Sequence, residues 1–298
     1  MMTGDYLSLG EQILFNWFET LMMKSIAQLE GKPLENGKLD YFKQELLKQF
    51  FAHFVSIRTL APGLKLAYKG REDEIAALAS VAALTRACLE NYSLFYYIYR
   101  DSNDFQDIRF RFWSWFREGL MHRQRYKTSG HAEKREEESQ EIDRIFAELQ
   151  GCRLYQLLTE KQKKEYQRVG KWHYCGKPAL LEKAGFSRAL SDNCYNFFSS
   201  YAHPTSAGHL QTSQADYETS KANMNAMLTP LFICSALYLH NYWILFQEIL
   251  SGVNEEDRVF VTSWCDLGSL TPFPPLTPFP PQKQSRPGVA PPAPPSVE

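Results

Sequence analysis

Apolar residues recur along most of the chain at the spacing of a helix face. Leu9, Ile13, Leu14, Trp17, Leu21 and Ile26 follow mostly three- and four-residue steps and predict an amphipathic helix over residues 5–31. Phe42, Leu46, Phe50, Phe54 and Ile57 repeat the pattern over 39–60, and "APG" at 61–63 breaks it. The stretch 71–100, "REDEIAALASVAALTRACLENYSLFYYIYR", predicts the best helix. Acids would sit in its first turn, where the helix dipole favours them, and Ala and Leu fill its middle. Further helices are predicted at about 104–127, 188–203 and 216–251, with a charged surface helix at 131–150 and an irregular region at 151–185. No strand alternation or hairpin signal stands out. The pattern predicts an all-α fold, one helical bundle-like domain over residues 1–266.

Two segments depart from this pattern. Residues 227–246, "MLTPLFICSALYLHNYWILF", are apolar over about the length of a membrane span. They also hold Pro230, His240 and Asn241, and polar groups at mid-span are costly in lipid. A core helix surrounded by neighbours is therefore the expectation, with no membrane partner. Residues 267–298 form a Pro-rich tail in which "TPFPPL" and "TPFPPQ" make a short tandem repeat. Proline has no N–H to give to regular structure, so the tail is expected to be polyproline II or disordered. It is either a loose end or a ligand for a proline-motif-binding protein.

Composition adds few constraints. Hydrophobic residues make up 44% of the 298 and the formal net charge is -1, so a core is feasible and no overall field recruits nucleic acid. The start, "MMTGDYLSLGEQILFNW", carries acids and interrupts its apolar run, which predicts no secretory leader. Six scattered Cys without a CxxC then read as reduced thiols, and the expected location is cytoplasmic.

Candidate chemistry concentrates in four places. In "YNFFSSYAHPTSAGH", residues 195–209, Ser199 and Ser200 lie four and three residues before His203, a spacing that brings both hydroxyls to the imidazole on one helix face. Pro204 disfavours helical geometry at His203 and places it at a helix end. There it either moves a proton or caps the helix. Arg86 and Glu90 are four apart on one helix. Arg86 lies along the stripe of Leu78, Ala82 and Leu89, which predicts an inward ion pair, either architecture or part of a site. Residues 109–127, "RFRFWSWFREGLMHRQRYK", interleave cations with aromatics. Arg109 and Arg111 could grip phosphates there, or snorkel over an amphipathic helix. In "KWHYCGKP", His173 and Cys175 could join Cys194 or His203 as metal ligands, but the paired spacing usual for zinc is missing. GxxxxGK[ST], GxGxxG, GxSxG and HExxH are absent from the sequence, so no metal or cofactor is expected.

Three of these stretches carry a resemblance. "LTRACLENYSLFYYIY", "KWHYCGKPALLEKAGF" and "YNFFSSYAHPTSAG" resemble a group of bacterial all-helical proteins catalogued as a domain of unknown function. That group has an Arg-x3-Glu helix, a Trp-containing loop, and a later helix ending in Tyr, Ser and His. The likeness spans about residues 70–250 and implies a helical bundle. A looser likeness is to the HEPN superfamily, many of whose members are metal-independent ribonucleases of toxin–antitoxin and phage-defence systems. Their motif is an Arg, four to six residues, then a His near a helix end, commonly in a dimer. The resemblance implies that His203 does acid–base work on a ribose 2′-hydroxyl. The motif's Arg would fall at Asn196, Phe197 or Phe198, none of them charged, so Arg86 would have to supply the cation from another helix.

Three functional expectations follow. In the first, the chain is a HEPN-like, RNA-directed effector in which His203 is the acid–base group, Arg86 clamps phosphate and Glu90 orients Arg86. Asn196, Ser199, Ser200, Arg109 and Arg111 would add contacts, and a homodimer could complete the site. In the second, the chain is a non-catalytic protein- or nucleic-acid-binding module, its polar residues fix helix register, and the tail recruits a partner. The third is a membrane-associated effector using residues 227–246.

Overall fold

The computed structural model describes residues 6–68, 71–126, 132–171, 173, 176–202 and 217–269. The described chain is built from helices α1 (Leu9–Ala27), α2 (Lys38–Leu60), α3 (Leu78–Tyr99), α4 (Phe105–Gln124), α5 (Ala132–Gln150), α6 (Arg153–Gln156), α7 (Glu160–Val169), α8 (Lys177–Lys183), α9 (Arg188–Ala202), α10 (Tyr217–Leu245), α11 (Gln247–Gly252) and α12 (Glu255–Ser269). The expected all-α, bundle-like class holds. The Pro-rich tail beyond residue 269 lies outside the described residues.

One hairpin interrupts the helices. Strands β1 (Leu64–Tyr68) and β2 (Arg71–Ile75) pair antiparallel from Leu64 with Ile75 to Tyr68 with Arg71. This corrects the expectation of a helix from residue 71. The acids of "REDE" lie in β2, and the first turn of α3 carries none. A first-turn acid gains only about 0.3–1 kcal/mol from the helix dipole, a local preference too small to fix where a helix begins. The two residues between the strands, Lys69 and Gly70, are not one of the strong hairpin dipeptides, so the turn gave little signal against the acidic run.

α3 and α10 form the centre. α3 packs against α2, α9 and α10, while α10 also packs against α1 and α12. Residues 230–243 of α10 are buried on every side. Its rings interlock with those of its neighbours: Tyr238 lies 4.6 Å from Phe95 and 4.8 Å from Phe50, and Phe232 lies 5.0 Å from Phe15. Residues 218–245 are long and apolar enough to cross a membrane, yet 72% of their most apolar window is covered by the fold.

The helix expected over 216–251 stops at Leu245, because Phe246 leaves helical geometry (φ −120°, ψ 83°) and packs 4.7 Å from the Tyr242 ring. α12 lies beyond the helices expected from the sequence. Its start is marked by Asn254, whose Oδ1 accepts from the Asp257 N–H at 2.7 Å, and by three acids in the first turn. A second, smaller core of Phe110, Leu120, Ile142, Ile145, Leu149, Tyr155 and Tyr166 joins α4 to α5–α7.

Candidate functional site

α3 buries Leu78, Val81, Ala82, Thr85, Cys88, Leu89 and Tyr92, a stripe at helical spacing. Arg86 stands at the edge of that stripe, not inside it, and its side chain keeps 21% of its exposure. Glu90, one turn on, accepts from Arg86 Nε at 3.1 Å. The expected ion pair is therefore present but half-exposed, and its partners come from distant sequence.

α9 supplies the first partner. Ser187 Oγ accepts from the Leu190 N–H at 3.3 Å, as an N-cap does, and Cys194, Phe198 and Tyr201 face the core. Tyr195, on the neighbouring flank, faces α3. Arg86 Nη2 donates to its hydroxyl at 3.2 Å, and the guanidinium lies 5.0 Å from the ring centroid. α8 supplies the second: Lys177 Nζ sits 3.7 Å from Glu90 Oε2. Two cations, Arg86 and Lys177, thus stand beside one carboxylate in a partly exposed seam. α3 and α8 meet again nearby, where the Tyr92 hydroxyl donates at 2.5 Å to the carbonyl of Ala184, the C-cap residue of α8.

The remaining candidates divide. Ser199 Oγ donates to the Tyr195 carbonyl at 2.6 Å and Ser200 Oγ to the Phe197 carbonyl at 2.7 Å, so both hydroxyls bond their own helix. Asn196 is exposed. His203 follows the last described residue of α9 and lies outside the described residues, as does Cys175. His173 is half-buried, and Cys194 is buried with its thiol pushed up to about 12 by burial. Among the described residues, no group of three His, Cys, Asp or Glu side chains gathers to hold a metal.

Arg109 and Arg111 do not reach the seam. Arg109 pairs with Glu148 of α5. Arg111 donates to the Tyr97 carbonyl at 2.6 Å, pairs with Asp101 at 3.0 Å and lies 4.5 Å from the Tyr97 ring centroid. Tyr97 is about 16 Å along α3 from Arg86 at 1.5 Å per residue. Within the same run, Arg117 is buried and donates to the Tyr166 carbonyl at 3.0 Å, capping the end of α7. The arginines of this run thus serve three joints of α4: Arg109 with α5, Arg111 with the end of α3, and Arg117 with α7.

Sequence reasoning missed Tyr195 and Lys177 as site residues. Both were inside the quoted stretches, but nothing local pairs them with Arg86 or Glu90. No protein-family model, curated protein or solved structure matches the chain.

Proposed function

We propose that the chain is an RNA-directed effector with HEPN-like, metal-independent ribonuclease chemistry at the α3–α8–α9 seam. The observation that carries this reading is the convergence there of Arg86, Glu90, Lys177 and Tyr195 from three separated segments. Two cations and partial exposure there suit a phosphodiester, and an Arg fork suits phosphate oxygens. His203 follows Tyr195 by eight residues in the sequence, just after the end of α9. In this reading His203 takes the proton from a ribose 2′-hydroxyl and O2′ attacks the adjacent phosphorus. The P–O5′ bond breaks, and the departing oxygen takes a proton. Arg86, oriented by Glu90, stabilises charge on the non-bridging oxygens. The products carry a 2′,3′-cyclic phosphate and a 5′-hydroxyl.

The test is cleavage of mixed-sequence RNA by the purified full chain in excess EDTA. Wild type should release cyclic-phosphate ends, and His203→Ala should slow the reaction by about a hundredfold or more. Arg86→Ala should weaken both cleavage and RNA binding. Wild-type protein that neither cleaves RNA nor binds it in an Arg86-dependent way sinks this reading.

A second reading is favoured by how the seam's polar groups are already used. Ser199 and Ser200 bond their own helix, and Arg86 is shared by Glu90 and Tyr195. A network satisfied in this way could fix helix register in a non-catalytic binding module. RNA binding without cleavage, insensitive to His203→Ala, would select it.

A further inference from the structure

α1 and α12 pack side by side at the surface. Trp17 stacks on Phe260 with centroids 4.1 Å apart and planes 2° from parallel, and Trp17 Nε1 donates to Asp257 Oδ1 at 2.8 Å. Lys24, further along α1, lies 4.0 Å from Asp257, while Phe18 approaches Trp264 at 6.3 Å. The helices therefore run antiparallel. Ile13 shares a face with Trp17, and Phe260, Trp264 and Leu267 share one flank of α12 at i, i+4 and i+7. Ile13 is 51% exposed and Leu267 59%, flanking rings that are only partly covered. The result is a partly exposed apolar strip along the α1–α12 joint, its aromatic rings edged by two exposed aliphatic side chains.

The chain itself provides a segment of matching chemistry just beyond the C-terminal end of α12. α12 ends at Ser269, and "TPFPPLTPFPP" begins two residues later without a single charge. Proline rings pack flat on aromatic side chains, and a chain held extended by proline loses little entropy on docking. The reach is sufficient. A six-residue repeat covers about 19 Å at 3.1 Å per residue, and the α12 side of the strip, from Phe260 to Leu267, spans about 10 Å at 1.5 Å per residue. We infer that the Pro-Phe repeat at 271–281 docks back onto the α1–α12 strip of its own chain, Phe273 or Phe279 resting among Ile13, Trp17, Phe260, Trp264 and Leu267. The strip is then an internal receptor that competes with any outside partner for the tail.

The test uses the full chain with the photo-cross-linking residue p-benzoylphenylalanine in place of Phe273. Irradiation at low protein concentration, followed by peptide mapping, should join the tail to residues 9–17 or 260–267 of the same chain. The paired change Ile13→Asp with Leu267→Asp alters exposed residues and should leave helical circular dichroism intact. It should cut the yield about tenfold, as the loss of two apolar anchors would. Cross-links to another face, products only between chains, undiminished yield in the paired variant, or no cross-link at all would each overturn the inference.

Discussion

At the scale of single residues, the central question is what holds buried polar groups. Asn241 on α10 donates to the Tyr92 hydroxyl at 3.0 Å and accepts from Arg100 Nε at 3.1 Å, while Tyr92 donates onward to Ala184. This chain of hydrogen bonds crosses the core and makes a polar position tolerable on an apolar helix. His240 beside it is 4% exposed. Burial lowers its pKa from the ordinary 6.5 to about 4, with Arg100 adding to the effect and Asp266 opposing it. The folded chain therefore keeps His240 neutral where the unfolded chain already binds a proton. Its contribution is intact above pH 6.5 and is lost as pH falls from 6.5 towards 4, by about 3 kcal/mol. Urea unfolding across that window should show wild type losing more stability than His240→Asn. Parallel profiles would mean that His240 is solvated or charged in the fold.

At the scale of elements, the seat of α12 on α10 depends on a residue without a side chain. A Cβ at Gly268 would stand 2.5 Å from Ile233 Cγ2, and Ile233 is stiff and buried. Gly268→Ala should cost about 1–3 kcal/mol through overpacking. Truncating Ile233 to Ala in the same chain should recover part of that loss, a coupling readable in a double-mutant unfolding cycle. Additive losses would show that α12 shifts without strain. Most of the helices were legible because the apolar period is local: α2, α4 and α5 fall close to their expected bounds. β2 was not, since its acidic sequence reads as a helix start until a partner strand is known. The Arg86–Glu90 pair was legible for the same local reason, four residues on one helix. Tyr195 and Lys177 were not, because their contacts with α3 follow from how α8 and α9 dock.

At the scale of the whole molecule, two apolar clusters of unequal size imply unequal stability. The larger one centres on α3 and α10, whereas the smaller one holds α5–α7 against α4. Arg117 links the smaller cluster through hydrogen bonds to carbonyls at the end of α7. Regions with fewer buried apolar neighbours open first. Native-state hydrogen exchange should therefore find α5 and α7 opening at clearly lower free energy than the centres of α3 and α10. Equal protection in both groups would show that the two clusters unfold as one unit.

The sequence by itself determined the all-helical class, the place of most helices and the i, i+4 pairing of Arg86 with Glu90, since each depends on spacing within a few turns. It also marked residues 227–246 as a segment needing cover on all sides. Only the tertiary structure decided that α1, α3 and α12 provide that cover. It also decided that Arg109 and Arg111 serve internal joints, and that Arg86 meets Tyr195 while Glu90 meets Lys177. Those outcomes depend on which helix faces come together, and that choice is made by burying the apolar surface of the whole chain at once.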